Sequence, residues 1–131
     1  MQSMAFQRTL DGVSHAEARS RVEAALKENG FGVITEIDVR STIKEKLGKD
    51  FRNYSILGAC NPEIAHRALE QRPEIGLLLP CNVVVSDNDS GGSEVWIVDP
   101  AAMIQFVPDQ TGLEELMQEA RHRLEKTIHS I

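Results

Sequence analysis

Basic residues are the minority charge in this chain: 14 Lys and Arg stand against 20 Asp and Glu, giving a formal charge of -6. Binding to a phosphate backbone relies on neutralising phosphates with Lys and Arg, so no nucleic-acid partner is expected. Long apolar runs are also missing. The longest, residues 75–79, stops at Pro80 and falls far short of the ~20 residues needed to cross a bilayer, so no membrane partner is expected either. Residues 1–6 lack a basic head followed by an apolar stretch and do not read as a secretory signal, which makes a cytoplasmic location the expectation. Only two cysteines are present. In a cytosolic chain such a pair is expected to be free thiols rather than a structural disulfide. No Gly-x-Ser-x-Gly, P-loop or His-Glu-x-x-His motif occurs, and Gly30-x-Gly32 lacks both the third glycine and the helix of a dinucleotide fingerprint. Hydrolase, nucleotide and metalloprotease readings therefore have no anchor, no cofactor is expected, and binding is favoured over catalysis.

What is present is ordinary globular composition, 41% hydrophobic and 26% charged over 131 residues, without a linker-like stretch. A chain of this length buries about two thirds of the surface its unfolded form exposes, so one domain over residues 1–131 is expected. Ala5 to Leu10 reads as a strand, and Asp11-Gly12 as a turn. Ser14 and Glu17 form a capping box ahead of Ala18, Val22, Ala25 and Leu26 at helical spacing, and Asn29-Gly30 closes that helix. Residues 31–39 switch to period two, with Val33, Thr35, Ile37 and Val39 on one face. A two-turn helix over residues 41–47 ends at Gly48, and residues 51–59 return to strand.

Cys60-Asn61-Pro62-Glu63 is the strongest helix start in the chain: Asn caps, Pro takes the first helical position, and Glu faces the helix dipole. Ile64, Ala65, Ala68 and Leu69 are the expected buried stripe, with His66 and Glu70 on a more polar side. Pro73 starts a shorter turn. Residues 83–85 and 95–98 are β-branched runs joined by the turn chemistry of residues 87–92, which predicts a hairpin. Asp99-Pro100 caps a brief helix over residues 101–106. Thr111 and Glu114 suggest a second capping box for a last helix whose apolar stripe is Leu113, Leu116, Met117, Ala120, Leu124 and Ile128. The element order predicts an α+β fold, a largely antiparallel sheet of about five strands with helices on one face.

Three stretches carry a family resemblance: Gly30-Phe31-Gly32-Val33; residues 56–62 together with residues 65–69; and residues 76–85, which include Pro80-Cys81-Asn82. In these the chain resembles the domain of unknown function 302 family, over nearly its whole length from about Leu10 onward, with Asp99-Pro100 also in place. The resemblance implies a TATA-binding-protein-like fold, β-α-β4-α with inserted short helices. It does not imply DNA binding, because the chain is acidic and a shared fold does not carry a shared function. It supplies no catalytic residue.

The chemistry to be weighed is concentrated in sulfur. Cys60 lies two residues before the first helical position, where helix amides favour an anion, so its thiol is a candidate for easier ionisation; the alternative is a small buried hydrophobe at a strand end. Cys81 follows an apolar run and reads first as buried. Cys60, His66 and Cys81 offer soft ligands to zinc or copper, yet the spacing matches no standard zinc arrangement and the metal remains unassigned. His66 reads as a helix-surface partner of Glu63 and Glu70, and His122 and His129 as a solvated face. Asp87, Asp89 and Glu94 lack the spacing of a calcium loop. The leading expectation is a ligand- or partner-binding module with its site at Cys60, Asn61 and Pro62 and with Cys81 and His66 nearby. Thiol-based redox or sulfur transfer through Cys60 and Cys81 is the first alternative, and a homodimer assembled through an open sheet edge or face is the second.

Overall fold

The computed structural model describes residues 3–131. Five strands form one antiparallel sheet in the order β1-β5-β4-β3-β2: β1 Ala5–Leu10, β2 Gly32–Asp38, β3 Tyr54–Cys60, β4 Cys81–Asp87 and β5 Ser93–Val98. The helices are α1 His15–Glu28, α2 Val39–Leu47, α3 Pro62–Gln71, α4 Pro100–Met103 and α5 Glu114–His129, with 3-10 turns at Pro73–Leu78 and Ile104–Phe106. The expected α+β class and element order are both present.

Period two sorts the strand residues between the faces. Phe6 and Leu10, Leu57 and Ala59, Val83 and Val85, and Val95 and Ile97 face α1 and α5, where they join Val22, Leu26 and Leu124 in the main apolar cluster. On the other face a cross-strand row runs through Ile37, Ile56, Val84 and Trp96. The hairpin between β4 and β5 is pinned by Asn88, whose side-chain oxygen accepts from the amides of Ser90 and Gly92. Its carboxylates are separately engaged: Asp87 accepts from the Asn53 amide, Asp89 pairs with Arg52, and Glu94 accepts from Thr9.

Local signals placed most helix ends. Ser14 accepts from the Glu17 amide at 3.2 Å, but the Glu17 carboxylate pairs with Arg21 one turn on, so only half of the expected box forms. The end of α1 is a Schellman closure: the amides of Gly30 and Phe31 donate to the carbonyls of Lys27 and Leu26, with Gly30 at φ 86°. That closure buries Phe31, which therefore lies outside β2.

Four expectations need correction. The period-two face in β2 is broken by a bulge at Ile34, since Val33 opposes Ala59 and Thr35 opposes Gly58. Val33 thus faces the core while Thr35 and Ile37 face away, and Glu36 turns to the helix side to pair with Arg19 of α1. Val39 is helical rather than extended, because Asp38 caps α2 by accepting from the Ser41 amide. The box at Thr111 does not form: Gly112 adopts φ 83°, the Thr111 amide donates to Asp109, and α5 begins at Glu114 with no side-chain cap. In α3, Leu69 is exposed and Ala65 half-buried, so Ile64 and Ala68 alone form its buried stripe.

Candidate functional site

At one end of the sheet β3 and β4 finish beside each other, with Ala59 opposite Cys81. Cys60 is therefore one residue along from the cross-strand partner of Cys81. The chain leaves β3 at Cys60 and enters α3 through Asn61, which is buried, and its side chain accepts from the Ile64 amide at 3.0 Å. Pro62 takes the first helical position, where its missing N–H removes no intrahelical bond. The expected junction is thus built as the sequence specified.

Pro80 enters this end across Gly58. A Cβ on Gly58 would lie 2.6 Å from the Pro80 ring, so only a glycine lets the proline settle over β3. The Leu79-Pro80 peptide bond is cis. Between the strand ends, α3, the turn Pro73–Leu78, α4 and α5 lies a cavity of about 180 Å³. Cys60, Asn61 and Cys81 line it, together with Ala65, Met103 and Met117. Ile64, Ala68, Ile75, Ile104 and Ala120 extend it into the second apolar cluster, which also contains Val107, Leu113 and Leu116. Leu77, at the mouth, is 87% exposed.

Both cysteines are free, and the cavity governs their acidity. Burial pushes the Cys60 thiol up. Burial, with a smaller repulsion from Cys60, pushes the Cys81 thiol up to about 11. Both shifts favour the neutral thiol. His66 stands apart from them: it is exposed, lies 3.4 Å from Glu70 and takes no part in the cavity wall. Cys60, His66 and Cys81 consequently do not converge, and among the described residues no three His, Cys, Asp or Glu side chains gather as a metal cluster. Met103 and Met117 were not singled out as site residues. Met117 carried only a helical-stripe signal and Met103 none, because folding alone brings α4 and α5 to the strand ends.

The profile of the family described as domain of unknown function DUF302 matches residues 6–131. A crystal structure of the uncharacterized conserved protein DUF302 from Bacillus stearothermophilus superposes with a TM-score of 0.87 at 27% identity, over 98% of each chain. No curated protein matches. Among the described residues no helix is long and apolar enough to cross a membrane.

Proposed function

The chain belongs to the DUF302 family, and from that premise we propose that it is a small-ligand-binding module whose site is the cavity beneath Cys60, Asn61 and Pro62. The observation that carries this reading is the cavity itself. At about 180 Å³ it exceeds the ~150 Å³ that suffices to hold benzene in an apolar protein interior. Its wall is apolar, with the aromatic Phe31 among aliphatic side chains, apart from sulfur and two carboxamides, those of Asn61 and Asn82. Such a wall selects compact, weakly polar ligands, since an ion without a partner would lose its hydration uncompensated. Redox chemistry through Cys60 and Cys81 is disfavoured, because it needs a thiolate and burial works against one.

Benzene is a suitable probe. Amide spectra should shift at Ala65, Met103, Met117 and Cys81, and benzene should slow alkylation of Cys60. Ala65→Leu, which fills the void, should abolish both effects. Unmoved cavity resonances together with an unchanged alkylation rate in the wild type would dispose of the reading.

A second reading, self-association, is favoured by the apolar row on the far side of the sheet. Ile37 there is 51% exposed, and Ile56, Val84 and Trp96 are half-buried. Five strands about 4.8 Å apart and about 20 Å long offer roughly 500 Å² of projected face per copy. Two copies face to face reach the ~1,000 Å² that a specific interface requires. The occupant we propose is a second copy of this chain, related by a twofold axis. Sedimentation should give a dimer that Ile56→Lys converts to a monomer; a wild type that sediments as a monomer at high concentration rules this out.

A further inference from the structure

No Asp, Glu, His, Lys or Arg side chain lines the cavity, and its hydrogen-bonding side chains are Asn61, Asn82 and the two thiols. Asn82 is exposed, whereas Asn61 keeps only 9% of its surface. The Asn61 carboxamide is half used. Its Oδ1 accepts from the Ile64 amide at 3.0 Å, and among the described residues its Nδ2 donates to nothing. Nor is Nδ2 sealed, because among those residues no buried side-chain nitrogen or oxygen lacks a partner. A spare N–H on a buried residue of a cavity wall leaves a hydrogen bond for a ligand to complete. We propose that the cavity binds neutral carbonyl compounds, ketones and aldehydes with a compact apolar body, whose oxygen accepts from Asn61 Nδ2. This deepens the preceding reading and rests on it, because it names the ligand class of the same cavity.

The cap decides which end of the carboxamide is left over. An N–H at Ile64 needs an acceptor, so the oxygen turns to it and the nitrogen, a donor only, is what Asn61 offers a ligand. The S–H groups of Cys60 and Cys81 add weak donors. A ligand matched to this wall therefore accepts a hydrogen bond and has no need to give one. An anion accepts as well, but it would find no free counter-charge. Arg123 stands close to the amide: a Cβ on Gly30 would lie 2.6 Å from its Nη1 and 3.0 Å from Asn61 Nδ2. Its guanidinium is already spent on Glu119 at 3.0 Å and on the Asn29 carbonyl, and it does not line the cavity. A carboxylate would thus lose its hydration without repayment, whereas a neutral carbonyl loses little. The rest of the ligand meets mostly apolar side chains and sulfur, so burial drives it in and one hydrogen bond orients it.

The test titrates the whole chain with cyclohexanone and with methylenecyclohexane, which has the same shape but a =CH2 group in place of the oxygen, and follows both by NMR. The side-chain amide protons of Asn61 should move downfield with the ketone and not with the hydrocarbon. The ratio of ketone to hydrocarbon affinity should fall about 10-fold in Asn61→Asp, which keeps the shape and the cap but puts an acceptor where the donor was. Asn61→Ser, which also caps and withdraws the amide nitrogen, should lower the ratio likewise, so the result does not depend on the folding of one variant. Asn82→Ala should move the ratio by less than about 2-fold, since an exposed amide only exchanges water for ligand. The inference is overturned if both Asn61 variants leave the ratio unchanged, if Asn82→Ala produces the fall instead, or if cyclohexanecarboxylate binds more tightly than cyclohexanone. Should cyclohexanone stay out while benzene still enters the cavity and Ala65→Leu still blocks it, the carbonyl assignment alone falls. Failure of both removes the binding reading as well.

Discussion

Two apolar clusters, made from the same kinds of side chain, end up in different physical states. Under the middle of the sheet Val22, Leu26, Leu57, Val83, Val85, Val95, Ile97 and Leu124 are all at 0% exposure. Under the β3 and β4 ends Leu113 and Ala68 are as tightly sealed, but Ile64, Ile75, Ile104 and Val107 keep between 3% and 9%, and a void of about 180 Å³ lies beside them. The difference arises from what closes each region. The first is sealed by the sheet and the two longest helices, α1 and α5. The second is closed largely by short pieces, the 3-10 turns and α4, each of six residues or fewer. A protein interior is normally packed to crystal density, so a persistent gap is the region in which to expect a ligand rather than added stability.

The strongest way to break that comparison is truncation. Leu124→Ala should destabilise by about 3–4 kcal/mol, since it opens a cavity in sealed packing, whereas Met117→Ala should cost about 1–2 kcal/mol because its side chain already borders empty space. Equal shifts in urea unfolding would show that the two clusters are packed alike. A smaller effect follows from Cys81. Its folded-state pKa of about 11 exceeds the ordinary 9.0, so the folded state holds its proton more tightly. The stabilisation is complete below about pH 9 and is lost as pH rises towards 11, by roughly 3 kcal/mol at most. Cys81→Ala should flatten the stability profile in that window. Alkylation near neutral pH should likewise proceed faster at Cys60 than at Cys81.

Asn61→Ala sharpens the comparison at the site itself. Loss of the cap to the Ile64 amide should lower stability by about 1 kcal/mol, measured by thermal unfolding, and Asn61→Ser should restore most of it. The smallest effect is expected from Ala65→Leu. Filling a void that already exists should change stability by less than about 1 kcal/mol in either direction while removing ligand binding. A loss several times larger would mean that the space is tightly packed after all.

Local chemistry was legible wherever a signal acts within a few residues. Ser14, Asn61-Pro62 and Asp99-Pro100 all cap the helices they were read to cap, because an N-cap is a contact between neighbours in sequence. Misreadings occurred where a competing neighbour intervened. Gly112 turned the backbone left-handed and detached Thr111 from α5, and Asp38 claimed Val39 for α2. The bulge at Ile34 left no mark in the hydrophobic pattern, since Glu36 reached the helix face by pairing with Arg19 rather than by being apolar. At the site, the sequence put Cys60, Asn61 and Pro62 together; His66, kept among the candidates but read as a helix-surface partner of Glu63 and Glu70, lies 3.4 Å from Glu70 and outside the cavity wall.

The sequence by itself determined the five strands, the starts of α1, α3 and α4 and the Cys60-Asn61-Pro62 junction, because periodicity and capping are short-range and each is written in adjacent residues. Tertiary structure alone decided that Cys81 would stand beside that junction, that Met103 and Met117 would close around it, and that both thiols would be held neutral. Strand register and the docking of α4 and α5 set those outcomes. They depend on contacts between residues tens of positions apart, and desolvation, the force that fixes the thiols, exists only once those contacts have excluded water.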